Sequence, residues 1–131
     1  MPSNFRLRHE RPDLDARCGG FYSSRDAAED GIRTLRFQPA FFHARDGFSI
    51  EEVELDRSIQ VLNATGKSLV LTIEPWASTV EIAAGARFTI HYPTPGDGED
   101  TSFAEFGEGT VTVWCSGRTY ELDVDGERIL T

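Results

Sequence analysis

The chain has 131 residues and a mass of 14.6 kDa, with 13 Lys and Arg against 22 Asp and Glu and a formal net charge of −9. That length predicts one domain that can bury a core without disulfides or a structural metal, and a composition 39% hydrophobic and 27% charged is that of a globular protein rather than a disordered one. The charge argues against a nucleic-acid backbone or an anionic membrane surface as partner, because either would be repelled.

Charge divides the chain at about position 45. Residues 1–45 hold eight arginines and six acids, or +2, and residues 46–131 hold five bases and sixteen acids, or −11. The sequence therefore reads as a basic N-terminal arm, 1–45, followed by an acidic β domain, 46–131. In the arm, Ser23 or Ser24 can cap a short helix through Asp26, Ala27, Ala28 and Glu29, with Gly31 closing it. Residues 35–37 could form a strand ended by Pro39. Phe5, Phe21, Phe37, Phe41 and Phe42 put five of the nine phenylalanines in this third of the chain. Rings in that number have to be buried, so the arm is expected to lie across the β domain, with Phe37, Phe41 and Phe42 on its surface or in an open end of its core. A neighbouring copy could receive the arm equally well, giving an exchanged dimer.

The acidic part alternates in period two. A first strand is predicted over 51–63, with Val53, Leu55, Ile59 and Val61 on one face and a bend at Arg57. Leu69, Leu71 and Ile73 point inward from the next, which Pro75 ends, and Val80 and Ile82 from a short one stopped by Gly85. Phe88, Ile90 and Tyr92 do the same before Pro93. Residues 93–100 form a loop, and strands follow over 101–106, 110–115 and 119–124, with Ser116-Gly117 as a hairpin turn and Asp125-Gly126 as another turn. Six or seven short strands with hairpin connections predict an all-β fold, an antiparallel β-sandwich of jelly-roll or immunoglobulin-like type or a small barrel.

No segment reads as a targeting signal or a membrane span. Cys18 and Cys115 belong to no C-x-x-C pattern and fit two reduced thiols in a cytoplasmic protein. Asn63-Ala64-Thr65 matches a glycosylation sequon but reads more simply as part of a turn with Gly66. No cofactor or metal motif is present. Cys115 lacks the nearby His and Met of a blue-copper site, no H-x-H supports a cupin centre, and the acids Asp97, Glu99 and Asp100 match no calcium loop. There is no nucleophile elbow, and Cys115 alternates onto the inward face with Val111 and Val113.

Two tryptophans stand out. Trp114 falls on the outward face with Thr110 and Thr112, and the outward residues Arg87, His91 and Glu121 would ring it if their strands were its neighbours. Such a platform could stack on a sugar ring or anchor a protein partner, unless the arm's phenylalanines cover it. Trp76 follows a strand end and closes one end of the core by default. The segment Asn63-x-Thr65, Leu69-x-Leu71-x-x-Glu74-Pro75-Trp76, then Val80-x-Ile82-x-x-Gly85 resembles small uncharacterised bacterial β-proteins; the resemblance implies a sandwich and brings no activity with it.

The preferred reading is a non-catalytic interaction or ligand-binding module, its acidic surface steering a basic protein partner or its arm mediating self-association. The competing reading is a carbohydrate-binding or hydrolytic β-sandwich that uses the Trp114, His91 and Arg87 face, with Glu121 and Trp76 as further contacts.

Overall fold

A computed structural model describes residues 2–129, in which β-strands are the commonest regular element. The chain divides between Glu54 and Leu55 into two compact units. The boundary matters for the charge: ten acids and eight bases leave residues 1–54 at −2, and twelve acids and five bases leave the rest at −7. Both units are acidic, because Asp46, Glu51, Glu52 and Glu54 fall in the first.

The first unit builds its own core. Strand β1 (Ser3–His9) is flanked by β2 (Phe21–Tyr22) and by β3 (Phe48–Glu54), both antiparallel, with Leu7 opposite Ile50 and His9 opposite Phe48. Helix α1 (Pro12–Asp15) follows β1, and helix α2 (Arg25–Arg36) places Ala28, Ile32 and Leu35 on one stripe, the spacing of a helix face that packs inward. Ser24 caps α2, its hydroxyl accepting the Ala27 N–H at 3.1 Å. The predicted stop at Gly31 does not occur and 35–37 is not a strand, since α2 runs through both to Arg36. Gly31 is there for close approach: a methyl group on it would come within 2.5 Å of the Tyr22 hydroxyl.

Phe41, at the end of a short 3-10 turn (Pro39–Phe41), is wholly buried with Leu7, Leu14 and Cys18, and Phe5 and Phe48 pack against the same cluster. The arm's aromatics therefore have a core within their own unit, although Phe37 and Phe42 remain exposed. Arginines cover several of the other rings, Arg25 over Phe5 at 5.3 Å, Arg45 over Phe42 at 5.7 Å, and Arg6 and Arg36 over Phe21 and Phe48 at 6.0 Å. His9 is buried edge-on to Phe48. Its Nδ1 accepts the Arg11 N–H at 3.0 Å, so the hydrogen sits on Nε2 and donates to the Ala44 carbonyl at 3.1 Å.

The second unit holds two four-stranded sheets. In one, β11 (Glu127–Ile129), β10 (Glu121–Val124), β7 (Arg87–Tyr92) and β4 (Arg57–Leu62) lie in that order, all antiparallel. In the other, the order is β6 (Ser78–Ile82), β5 (Leu69–Glu74), β9 (Thr110–Trp114), β8 (Phe103–Gly107), and β5 runs parallel to β9. Leu69, Leu71, Ile73, Ile82, Val111, Val113 and Cys115 from the second sheet share one buried cluster with Phe88, Ile90, Tyr92 and Leu122 from the first.

Three expectations change here. The strand predicted over 51–63 is two strands in different sheets, broken at Leu55 and Asp56. The Asp56 carboxylate turns to accept the Thr94 N–H at 2.7 Å and the Thr94 hydroxyl at 2.6 Å. Ser116-Gly117 is not a hairpin turn, because β9 and β10 belong to different sheets and these residues carry the chain between them. The antiparallel pattern also has one exception, the β5–β9 pair. Asp125-Gly126 does form a two-residue hairpin, both residues at positive φ (51° and 83°) as a type I′ turn requires.

Asn63 links two of the chain's four crossings between the two sheets. It is fully buried, and its Nδ2 donates to the carbonyls of Lys67 (2.7 Å), Ile82 (3.1 Å) and Ala83 (3.0 Å). Its Oδ1 accepts the N–H and hydroxyl of Thr65 at 3.2 and 2.8 Å, and its backbone bonds both Ala86 and Gly85. The β4–β5 turn is thereby tied to the β6–β7 turn. An amide nitrogen so engaged is no glycan acceptor. Asn63→Ala removes the buried amide that joins the two turns and leaves a void at a fully buried position, and is expected to lower the urea-unfolding free energy by about 2–3 kcal/mol, against about 1 kcal/mol for Thr65→Ala. Asn63→Asp should do at least as badly as alanine, since a carboxylate cannot donate to three carbonyls. A loss below about 1 kcal/mol for Asn63→Ala would show that the two turns hold together without it.

Candidate functional site

The outward residues expected to ring Trp114 fall on two different sheets. Arg87 and His91 project from β7 and Glu121 and Asp123 from β10; these strands are neighbours, with His91 opposite Glu121 and Thr89 opposite Asp123. Trp114 is on β9, whose neighbours are β5 and β8. The proposed grouping of Trp114 with Arg87, His91 and Glu121 is therefore not formed, because strand order depends on long-range pairing and alternation fixes only which face a residue takes.

The β7–β10 face is internally paired. His91 Nε2 lies 2.9 Å from Asp123 Oδ2, and Arg128 on β11 clamps Glu121, donating from Nε to Oε2 at 2.7 Å and from its Nη2 to Oε1. Arg87 anchors the hairpin turn through its backbone N–H, which donates to the Asp125 carboxylate at 2.9 Å. Ser58 on β4 stands opposite His91 across the ladder, which places a serine, a histidine and an aspartate on three adjacent strands. No hydrogen bond joins Ser58 to His91 among the described residues, so the hydroxyl has no base engaged to activate it in the way a nucleophile requires.

The outer face of the other sheet differs in character. Phe103 on β8 pairs in register with Trp114, and their rings stack at 6.2 Å with an interplanar angle of 17°. On Trp114's other side, Glu74 of β5 is its register partner, and one step along the ladder Glu105 stands opposite Thr112. Phe103 and Trp114 are 54% and 43% exposed. The face thus carries a stacked two-ring platform with carboxylates beside it, and Thr72, Thr79, Thr110 and Thr112 beyond it. Trp76 lies elsewhere, on the turn after β5, its ring tilted at 50° against Tyr120 with centroids 4.6 Å apart, while Tyr120 donates to the Ser78 hydroxyl at 2.8 Å. It is 37% exposed and is not among the residues of the buried cluster.

The acidic loop is organised by Asp100. Its carboxylate accepts the Tyr92 hydroxyl at 2.5 Å, the Ser116 hydroxyl at 2.9 Å and the Ser102 N–H at 3.0 Å, and the Ser102 and Ser116 hydroxyls meet at 2.8 Å. Partial burial would raise the Asp100 carboxyl, but the Tyr92 hydroxyl and the two serines more than offset it and hold it at about 2. Burial, with the bond to Asp100, pushes Tyr92 up to about 12. Among the described residues no group of three His, Cys, Asp or Glu side chains could hold a metal ion. Alternation offered no sign of this serine, tyrosine and aspartate cluster, because its members come from a strand end, a loop and an inter-sheet connection.

Cys18 and Cys115 are free thiols, each buried in the core of its own unit, and burial pushes both up. Both should react with a thiol reagent far more slowly in the native protein than in denaturant, where two equivalents titrate promptly; one fast equivalent without denaturant would contradict this packing. Asp100 makes its own prediction. The unfolded chain takes up a proton near 3.8 and the folded one near 2, so the stability Asp100 contributes is present above about pH 4 and is lost as pH falls from 4 to 2. Asp100→Asn should flatten the loss of stability in that window and lower stability at pH 7; an unchanged acid profile would sink the assignment.

No helix among the described residues is long and apolar enough to cross a membrane. Compared with protein-family models, curated proteins and solved structures, the chain matches none, and its chemistry is read from the geometry of these two faces.

Proposed function

We propose that this chain is a non-catalytic interaction module whose second unit, a β-sandwich, presents the Phe103–Trp114 platform to cationic side chains of a basic protein partner. The observation that carries the reading is the stacked, exposed ring pair with Glu74 and Glu105 beside it. An arginine laid over an indole gains from the ring's negative face, and a carboxylate beside it supplies a bidentate acceptor. Residues 88–117 contain five acids and neither lysine nor arginine, so the field around the platform has one sign and would steer such a partner in. The β7–β10 face supports binding less well, because its histidine and arginine are already paired with Asp123 and Glu121 or hold a turn.

Tryptophan emission followed during titration with a tetra-arginine peptide, and in parallel with a neutral hexose oligosaccharide, tests this. The peptide is expected to shift the emission, with affinity falling about tenfold or more between low and high salt. Trp114→Ala should abolish the response and Trp76→Ala should leave it. A response to the sugar alone, or one indifferent to salt or to Trp114→Ala, would overturn the reading.

A further inference from the structure

Resting on that reading, we infer that the partner is bound as an extended basic segment that adds to the open edge of β8 as a fifth strand of the β6-β5-β9-β8 sheet. β8 ends that sheet, pairs with β9 on one side only among the described residues, and is exposed along nearly its whole length. Native edges are usually guarded by lysine, proline, a bulge or extreme shortness. β8 reads Phe-Ala-Glu-Phe-Gly over five residues, with no proline or base, and carries Phe103 on its outer side and Phe106, 63% exposed, on the other. An edge with an aromatic on each face offers backbone hydrogen bonds to an incoming strand and a ring to each of its sides.

Charge selects the occupant. If β8 of a second copy paired with it antiparallel about the strand centre, Glu105 would lie directly against Glu105, an unfavourable cross-strand pair. A strand with a basic residue at that register would meet Glu105 on the outer face, next to the Trp114 platform. Asp97, Glu99 and Asp100 precede β8 and Glu108 follows it, so acids bracket both ends of the edge. Alternation then sets the partner's pattern: basic residues on the side of Glu105 and Phe103, apolar ones on the side of Ala104 and Phe106.

The probe is an acetylated, amidated heptapeptide alternating valine and arginine, together with the same sequence N-methylated at the residues whose N–H would face β8. The parent peptide should bind, slow amide exchange at residues 103–107 by about tenfold, and lose about tenfold in affinity on N-methylation or in Glu105→Lys, a change of about 1.4 kcal/mol. Glu105 is exposed, and the exchange measurement on the unaltered protein stands even if that variant folds poorly. An N-methylated peptide that binds as tightly as its parent, with Trp114→Ala still weakening both, overturns strand addition and leaves the cation-accepting platform standing. Failure of the parent peptide to bind overturns strand addition, and with it the platform reading if tetra-arginine also leaves the tryptophan emission unchanged.

Discussion

The junction between the two sheets of the second unit is organised around one buried amide. Four of its strands are joined by two crossings between sheets, β4 to β5 and β6 to β7, and a crossing leaves backbone groups without ladder partners. Asn63 gathers those groups: its nitrogen answers three carbonyls, its oxygen answers Thr65, and its backbone reaches Ala86 and Gly85. A buried polar side chain is tolerated only when fully satisfied, and this one is. With the two crossings tied side by side, β4 and β7 pair in one sheet while β5 and β6 pair in the other, and the apolar faces of both share one cluster. The N-x-T and E-P-W segment noted in the sequence thus has a structural meaning at its first and last positions, since Asn63, Thr65 and Gly85 meet at this junction.

Strand positions and faces were largely legible because period two reports burial directly. Leu69, Leu71 and Ile73, then Phe88, Ile90 and Tyr92, then Val111, Val113 and Cys115 all point inward as their alternation indicates. Partners were not legible. The β5–β9 pair spans some forty residues of chain, and no local pattern says that β9 lies beside β5 rather than β7 or β10. For that reason Trp114 and the residues expected around it lie on two sheets, and alternation alone does not show that Phe103 is the ring that stacks on it. The break between β3 and β4 was hidden by coincidence, because odd-numbered apolar residues continue on both sides of Leu55. Gly31 misled in the opposite direction, since a glycine inside a helix usually marks its end and here marks contact with Tyr22.

The two faces of the second unit divide its charged groups by what they are attached to. On the β11-β10-β7-β4 face, the acids are held by neighbouring side chains, Asp123 hydrogen-bonded to His91 and Glu121 clamped by Arg128. On the β6-β5-β9-β8 face the acids Glu74 and Glu105 stand beside rings, and the sequence from 88 to 117 contains neither lysine nor arginine. An exposed aromatic pair is unusual on a surface with no partner to cover it, and an unneutralised carboxylate beside it favours a cation as what completes it.

The parallel seam between β5 and β9 also bears on how this unit assembles. β5–β6 and β8–β9 are local hairpins joined by short turns, and each can close with little loss of chain entropy. Bringing them together along Leu71 and Val111 closes a loop of about forty residues, so the ordering penalty of the sheet is concentrated in a single docking event rather than spread over its four strands. Of the two hairpins that meet at this seam only β8–β9 carries aromatics in its strands, and β8 is the strand left at the sheet's margin with its edge open.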